Sequence, residues 1–172
     1  MGRWLPAGVL IPALLVSFGH AASLPPLELQ ILAKALVFLQ PPLSGEAVVA
    51  IVYAAGNPDS RRDADALAAE FGSSFRVGEA TLTPMVVASN ALAASRFNLV
   101  ISAAGASSER VIEAARAQHA LCVTADLAAV RAGTCTMAIQ SFGRVEIYIN
   151  REATNGAGLT FATAFRIMVH EL

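Results

Sequence analysis

Residues 134–150 read TCTMAIQSFGRVEIYIN, and this stretch decides the architecture of the chain. Apolar and polar side chains alternate on either side of Gly143, which is the spacing of two β-strands. The connection Ser141-Phe142-Gly143 joins them, and its glycine supplies the positive φ that a three-residue hairpin loop needs. The residues predicted to point inward are Cys135, Met137, Ile139, Val145, Ile147 and Ile149.

A closing helix is predicted after this hairpin. Asn150 is a good N-cap residue, and Glu152 would lie in the first helical turn, where the helix dipole favours an acid. Phe161, Phe165 and Met168 recur at intervals of four and three residues, so we expect them on one helical face that packs on the sheet.

Upstream, short apolar runs alternate with amphipathic stretches. The predicted strands are 47–54, 75–83, 97–102 and 121–125, and the predicted helices are 27–39, 58–71, 105–118 and 126–131. Residues 84–96 are predicted as a loop with a short helix, and Glu28 and Lys34 as the solvent side of the first helix. Alternating strands and helices predict an α/β fold: a mostly parallel, doubly wound, Rossmann- or flavodoxin-like sheet that ends in an antiparallel hairpin strand and a closing helix.

The charge of the chain argues against nucleic acid as a partner. Twelve Lys and Arg residues stand against thirteen Asp and Glu residues, which gives a net charge of −1. Binding to a phosphate backbone needs a basic stripe, and the sequence has none.

The N-terminus has the layout of a secretory signal peptide. Arg3 is followed by an apolar run and then by small residues, so we predict a leader over residues 1–21, cut after Ala21 or after Ser23. The alternative, a retained membrane anchor, is disfavoured because Pro6 and Pro12 interrupt a run shorter than the ~20 residues of a spanning helix. The expected product is one periplasmic domain, residues 24–172.

Cys122 and Cys135 are the only cysteines, and an even number in an exported protein favours a disulfide. The alternative is two separate buried thiols on opposite faces of the sheet. His119 precedes Cys122 by three residues, but two ligands do not make a metal site, so no metal is expected.

Two loops are candidates for ligand binding, because each follows an apolar strand and opens a helix. Free N–H groups at such helix starts can hold an anion or a carboxylate. The candidate ligand-binding residues are Gly56, Asn57, Gly105, Ser107 and Ser108. The alternative is ordinary turn and cap chemistry, since neither loop has a phosphate-binding motif.

No motif in the sequence carries catalysis: there is no nucleophile elbow, no paired catalytic carboxylates and no Cys-His arrangement. We therefore expect a protein that is not an enzyme and has no cofactor. Aromatic anchors often dominate binding surfaces, so Tyr53, Phe142 and Tyr148 are candidate partner contacts. Simple packing is the alternative for each.

The chain resembles the YfiR/HmsC family of secreted bacterial proteins. The resemblance rests on the stretches 121–124, 133–137 and 144–150, on the step Ala157-Gly158-Leu159, and on the close of the first helix at Phe38 and Pro41. It implies a YfiR-like α/β domain without enzymatic activity. Such a domain would bind the periplasmic sensor region of an inner-membrane diguanylate cyclase and repress it, which lowers cyclic-di-GMP output and biofilm formation.

The resemblance also suggests a homodimer. Relatives can carry four cysteines, whereas this chain has two, and Arg96-Phe97-Asn98 stands where a relative has a further cysteine. Redox control through that absent pair is therefore not expected here.

Overall fold

The computed structural model of the chain describes residues 26–141 and 143–172. The predicted signal peptide and Phe142 lie outside the described residues. Within those ranges, no helix has the length and apolar character needed to cross a membrane.

The described residues form ten strands, six α-helices and one 3₁₀ turn at Leu92–Ala94. The strands are β1 (Leu39–Gln40), β2 (Gly45–Tyr53), β3 (Phe75–Val77), β4 (Ala80–Ala88), β5 (Leu99–Ser102), β6 (Leu121–Thr124), β7 (Met137–Gln140), β8 (Glu146–Ile149), β9 (Thr160–Phe161) and β10 (His170–Glu171). The helices are α1 (Pro26–Leu36), α2 (Pro58–Phe71), α3 (Glu109–Ala117), α4 (Leu127–Arg131), α5 (Arg151–Gly156) and α6 (Thr163–Arg166).

Eight of the strands form one sheet in the order β10-β8-β7-β6-β5-β2-β4-β3, and β1 pairs with β9 apart from it. Strands β2, β4, β5, β6 and β7 run parallel, and β8 is antiparallel to β7. The predicted mostly parallel α/β architecture and the predicted C-terminal hairpin are therefore confirmed. Chain order reverses between β2 and β5, so these two neighbouring strands mark the switch point of the sheet.

The sheet separates two apolar cores because its central strands are apolar on both faces. On one face, Val49 and Ile51 of β2 pack with α1 and α2; on the other, Ala50 and Val52 of the same strand pack with α3 and α4. Helices on both faces follow from this double-sided burial.

The predicted strand 75–83 is wrong in its form. The segment is a hairpin, in which β3 pairs antiparallel with β4 around a turn at Gly78, whose φ is 57°. β4 then continues to Ala88, through residues predicted as a loop. Pro84 misled that prediction, because a strand at the rim of a sheet tolerates a proline whose missing N–H faces outward.

The prediction of a single closing helix is also wrong. Helix α5 begins after Asn150, as predicted, but ends at Gly156; the chain then forms β9, which pairs with β1, and the short helix α6. Phe161 lies in β9 and Phe165 in α6, and both are buried, whereas Met168 is 66 % exposed. The β1 pairing also explains why α1 stops at Leu36, before the predicted end.

Three side chains lie in other environments than the sequence patterns predict. Cys135 precedes β7 and packs in the α3 and α4 core, opposite Met137 and Ile139. Val145 is 48 % exposed, because β8 begins only at the next residue. Glu28 is buried and does not face solvent. Its Oε1 accepts a hydrogen bond from Ser141 Oγ at 2.8 Å.

Candidate functional site

Cys122 and Cys135 form the predicted disulfide, and both are fully buried. Cys122 lies in β6 and its partner lies just before the neighbouring strand β7. The Thr136 hydroxyl holds the same two segments together: Oγ1 accepts from the Cys122 N–H at 2.8 Å and donates to the Cys122 carbonyl at 2.5 Å. The disulfide therefore reinforces a contact that the backbone also makes, through the hydrogen bond from the Thr136 N–H to the Cys122 carbonyl.

A cavity of about 390 Å³ lies at the switch point of the sheet. It is lined by Asn57, Asp59, Ser60, Arg62, Asp63, Ala104 and Gly105. The sheet thus brings together the two loops that the sequence singled out, because β2 and β5 are neighbours and their carboxyl ends share one edge.

The polar groups of these loops are largely used within the protein. Asn57 Oδ1 accepts from the N–H groups of Asp59 at 3.0 Å and Ser60 at 3.2 Å, so it caps α2. Gly105 has a φ of 71°, which the turn requires. Ser107 Oγ donates to Ser102 Oγ at 2.9 Å. These contacts are the turn and cap chemistry that the sequence left as the alternative.

Two further candidate residues have similar local roles. Gly56 has a φ of 80° in the turn before Asn57, which favours glycine. Ser108 is the N-cap residue of α3, and its side chain makes no capping hydrogen bond.

The charges of the cavity oppose an anionic ligand. Asp59 and Asp63 both line it, and Arg62, the only cation among the described residues of its lining, pairs with Asp59. The lining therefore carries a net negative charge and would repel a carboxylate or phosphate.

The candidate aromatic contacts do not share a surface. Tyr53 is half-buried against the α1 and α2 core, where the guanidinium of Arg61 lies 4.9 Å from its ring centroid. Tyr148 packs against the opposite core, and its ring stacks on His170 at 4.8 Å. The two tyrosines lie four strands apart in the sheet, roughly 19 Å, so one contact surface can contain at most one of them.

An exposed apolar surface lies at one end of β8 and β10, and sequence patterns did not predict it. Val145 is 48 % exposed, Ile167 81 % and Met168 66 %. Because β10 runs parallel to β8, with His170 opposite Tyr148, the residues that precede the two strands lie at the same end of this edge of the sheet: Ile167 and Met168 before β10, and Val145 before β8. We call Val145, Ile167 and Met168 the β8–β10 surface.

A charged cluster fastens β10 to the domain. Glu171 accepts hydrogen bonds from Arg166 and from Arg151, and these bonds lower the pKa of Glu171 to about 2. The cluster borders a cavity of about 220 Å³. Short-range sequence patterns contain no signal for this cluster, because Arg151 and Glu171 lie 20 residues apart in the chain.

Two histidines make specific contacts within the fold. His170 stacks on Tyr148 within β10, and His119 Nδ1 lies 3.0 Å from the Ala157 carbonyl oxygen. His119 and Cys122 do not form a ligand pair, since the Cys122 sulfur is bonded to Cys135.

No protein-family model matches this chain, and no curated protein matches it either.

Proposed function

We propose that this protein is a binding protein without enzymatic activity, of the doubly wound α/β class with a flavodoxin-like strand order. More particularly, we propose a YfiR-like periplasmic regulator that binds the periplasmic sensor region of an inner-membrane diguanylate cyclase and represses it. The support is the resemblance in residues 121–159, the predicted leader, and a buried disulfide, which is typical of exported proteins.

The β8–β10 surface is the observation that carries the binding role. Large apolar side chains that are exposed together at one end of a sheet mark interaction sites in soluble proteins. Ile167 is the most exposed large apolar side chain among the described residues, at 81 %. The stacked pair Tyr148 and His170 lies along the same two strands, so it would extend the contact with aromatic surface.

The test measures capture of the mature protein by the isolated periplasmic sensor region of a diguanylate cyclase encoded beside it. The variant I167D/M168D puts two charges into the β8–β10 surface, and we expect it to bind at least about ten-fold more weakly.

V37D is the matched control for this experiment. Val37 is 61 % exposed, and it lines a separate hollow with Val77 and Gly78 at the opposite edge of the sheet. V37D should bind as the unmodified protein does. Equal binding of all three proteins would place the contact elsewhere, and no capture of the unmodified protein would contradict the regulatory function itself.

The cavity at the switch point supports a second candidate, a periplasmic small-molecule binding protein that uses the loops at Gly56 and Gly105. Its acidic lining favours a small cationic or amine ligand over the anion that the sequence suggested. Thermal-shift measurements with matched sets of amines and anions test this. A shift with amines that D63N abolishes would support the candidate, and no shift with either set would contradict it.

A further inference from the structure

Strand β4 has an open edge along part of its length. One side pairs with β2 over all nine residues, from Ala80 to Ala88. On the other side, β3 covers only Ala80 to Leu82. In the described part of the chain, no strand pairs with residues 84–88 on that outer side.

Two hydrogen bonds fix which backbone groups face the open edge. The Gly45 N–H donates to the Glu79 carbonyl, and the Ser89 N–H donates to the Tyr53 carbonyl, so odd-numbered residues of β4 point their backbone groups at β2. Since backbone groups alternate along a strand, those of Pro84, Val86 and Ala88 face outward. Pro84 has no N–H, and the Ala88 carbonyl already accepts from the Ala91 N–H at 2.9 Å.

The groups left over at the edge are self-complementary. They are the Pro84 carbonyl, the N–H and carbonyl of Val86, and the Ala88 N–H. If a second β4 pairs antiparallel about a two-fold axis at Val86, the two valines exchange both of their hydrogen bonds. Each Ala88 N–H then meets the Pro84 carbonyl of the other copy. Pro84, which has no N–H, would lie opposite the Ala88 carbonyl, which already accepts from the Ala91 N–H. Each of the free backbone groups at this edge therefore has a partner in this register.

The family resemblance implies a homodimer without saying which surfaces meet. We propose that the two copies pair through residues 84–88 of β4, in this antiparallel register, and join their sheets into one. The side chains also favour this pairing. Residues 84–88 read PMVVA, carry no charge and are half-buried, so pairing two copies brings no like charges together and covers apolar surface. The length of β4 is also compatible with this pairing. Each β4 ends at Ala88, and a longer strand would collide with β3 of the other copy, which covers Ala80 to Leu82.

This interface does not depend on the proposed regulatory function. It lies at the β3–β4 edge of the sheet, whereas β10 forms the opposite edge. A dimer built in this way would leave the β8–β10 surface of each copy open to another protein.

Engineered cysteines test the register. In V86C the two new thiols lie on the axis, at a Cα separation of about 5.5 Å, within the range that a disulfide bridges. In A88C they lie about 13 Å apart along the paired strands and cannot bond. Mild oxidation of the mature protein should therefore give a reducible dimer with V86C and monomer with A88C. Equal cross-linking of both, or of neither, would overturn the proposal.

Sedimentation velocity over a concentration series tests the hydrogen bonds directly. V86P removes an outward backbone N–H that the monomer does not use. V86T keeps this backbone N–H and has a side chain of similar shape to valine. The pairing predicts that V86P weakens self-association about ten- to thirty-fold, through two lost hydrogen bonds, and that V86T changes it little.

Unmodified protein that stays monomeric at every concentration would overturn the proposal. Capture of the cyclase sensor region that V86P abolishes, with no self-association, would likewise overturn it and assign the edge to that partner.

Discussion

The disulfide offers the most quantitative test of this structure. Cys122 and Cys135 are separated by 13 residues, and closing a loop of that size lowers the entropy of the unfolded chain by the equivalent of about 3 kcal/mol. In the folded state, Thr136 holds the same two segments through its hydroxyl. Reduction should therefore leave the fold intact and act mainly on the unfolded state.

Urea unfolding of three forms separates the contributions. Reduced protein should lose about 3 kcal/mol, equivalent to a fall in Tm of roughly 6–12 °C for a domain of this size. C122A/C135A should lose about 1–2 kcal/mol more, because removing two buried sulfur atoms also removes packing.

C122S/C135S should be the least stable of the set. Each serine would bury a hydroxyl in an apolar core, where Thr136 already occupies the backbone N–H and carbonyl of Cys122. If reduced and oxidised protein unfold at the same urea concentration, the loop argument is refuted. If the serine and alanine variants are equally stable, the burial of the pair is refuted.

Three further predictions concern stability. Two arginines hold the pKa of Glu171 at about 2, below its ordinary 4.5, so the carboxylate stabilises the fold above pH 4.5; the Tm gap between the unmodified protein and E171Q should shrink as the pH falls from 4.5 towards 2. Burial raises the pKa of Glu28, so stability is lost as the pH rises above 4.5; E28Q should raise Tm at pH 8 and leave it nearly unchanged at pH 4. N57A should lower the free energy of unfolding in urea by about 1 kcal/mol, since it removes the α2 cap, whereas S108A, whose side chain makes no capping hydrogen bond, should change it little.

Local patterns in the sequence were enough to predict the central architecture. The apolar run of β2 predicted a strand buried on both faces, and Asn57 with Pro58 predicted the start of α2. Both signals depend only on neighbouring residues and on the period of the pattern, so no knowledge of the fold was needed. The pairing of Cys122 with Cys135 was also accessible, because the predicted leader favoured a disulfide and a chain with two cysteines has only one intrachain pair.

The candidate site could be predicted only in its position. Parallel strands bring the loops at Gly56 and Gly105 to one edge of the sheet, which the alternation of strands and helices implied. The charge of the resulting cavity was not accessible, because it depends on Asp59 and Asp63, which α2 directs towards the loop at Gly105.

What the sequence determined by itself was the set of central strands, most of the helices and their caps, since these follow from periodicity and local hydrogen bonding. Only the tertiary structure decided the rims of the sheet. β4 extended through Pro84 to Ala88 along the whole of β2, Glu28 became buried against Ser141, and the C-terminal segment was divided between β9, α6 and β10. Each of these outcomes depends on a partner far away in the chain, and short-range patterns contain no information about which distant segment will be there.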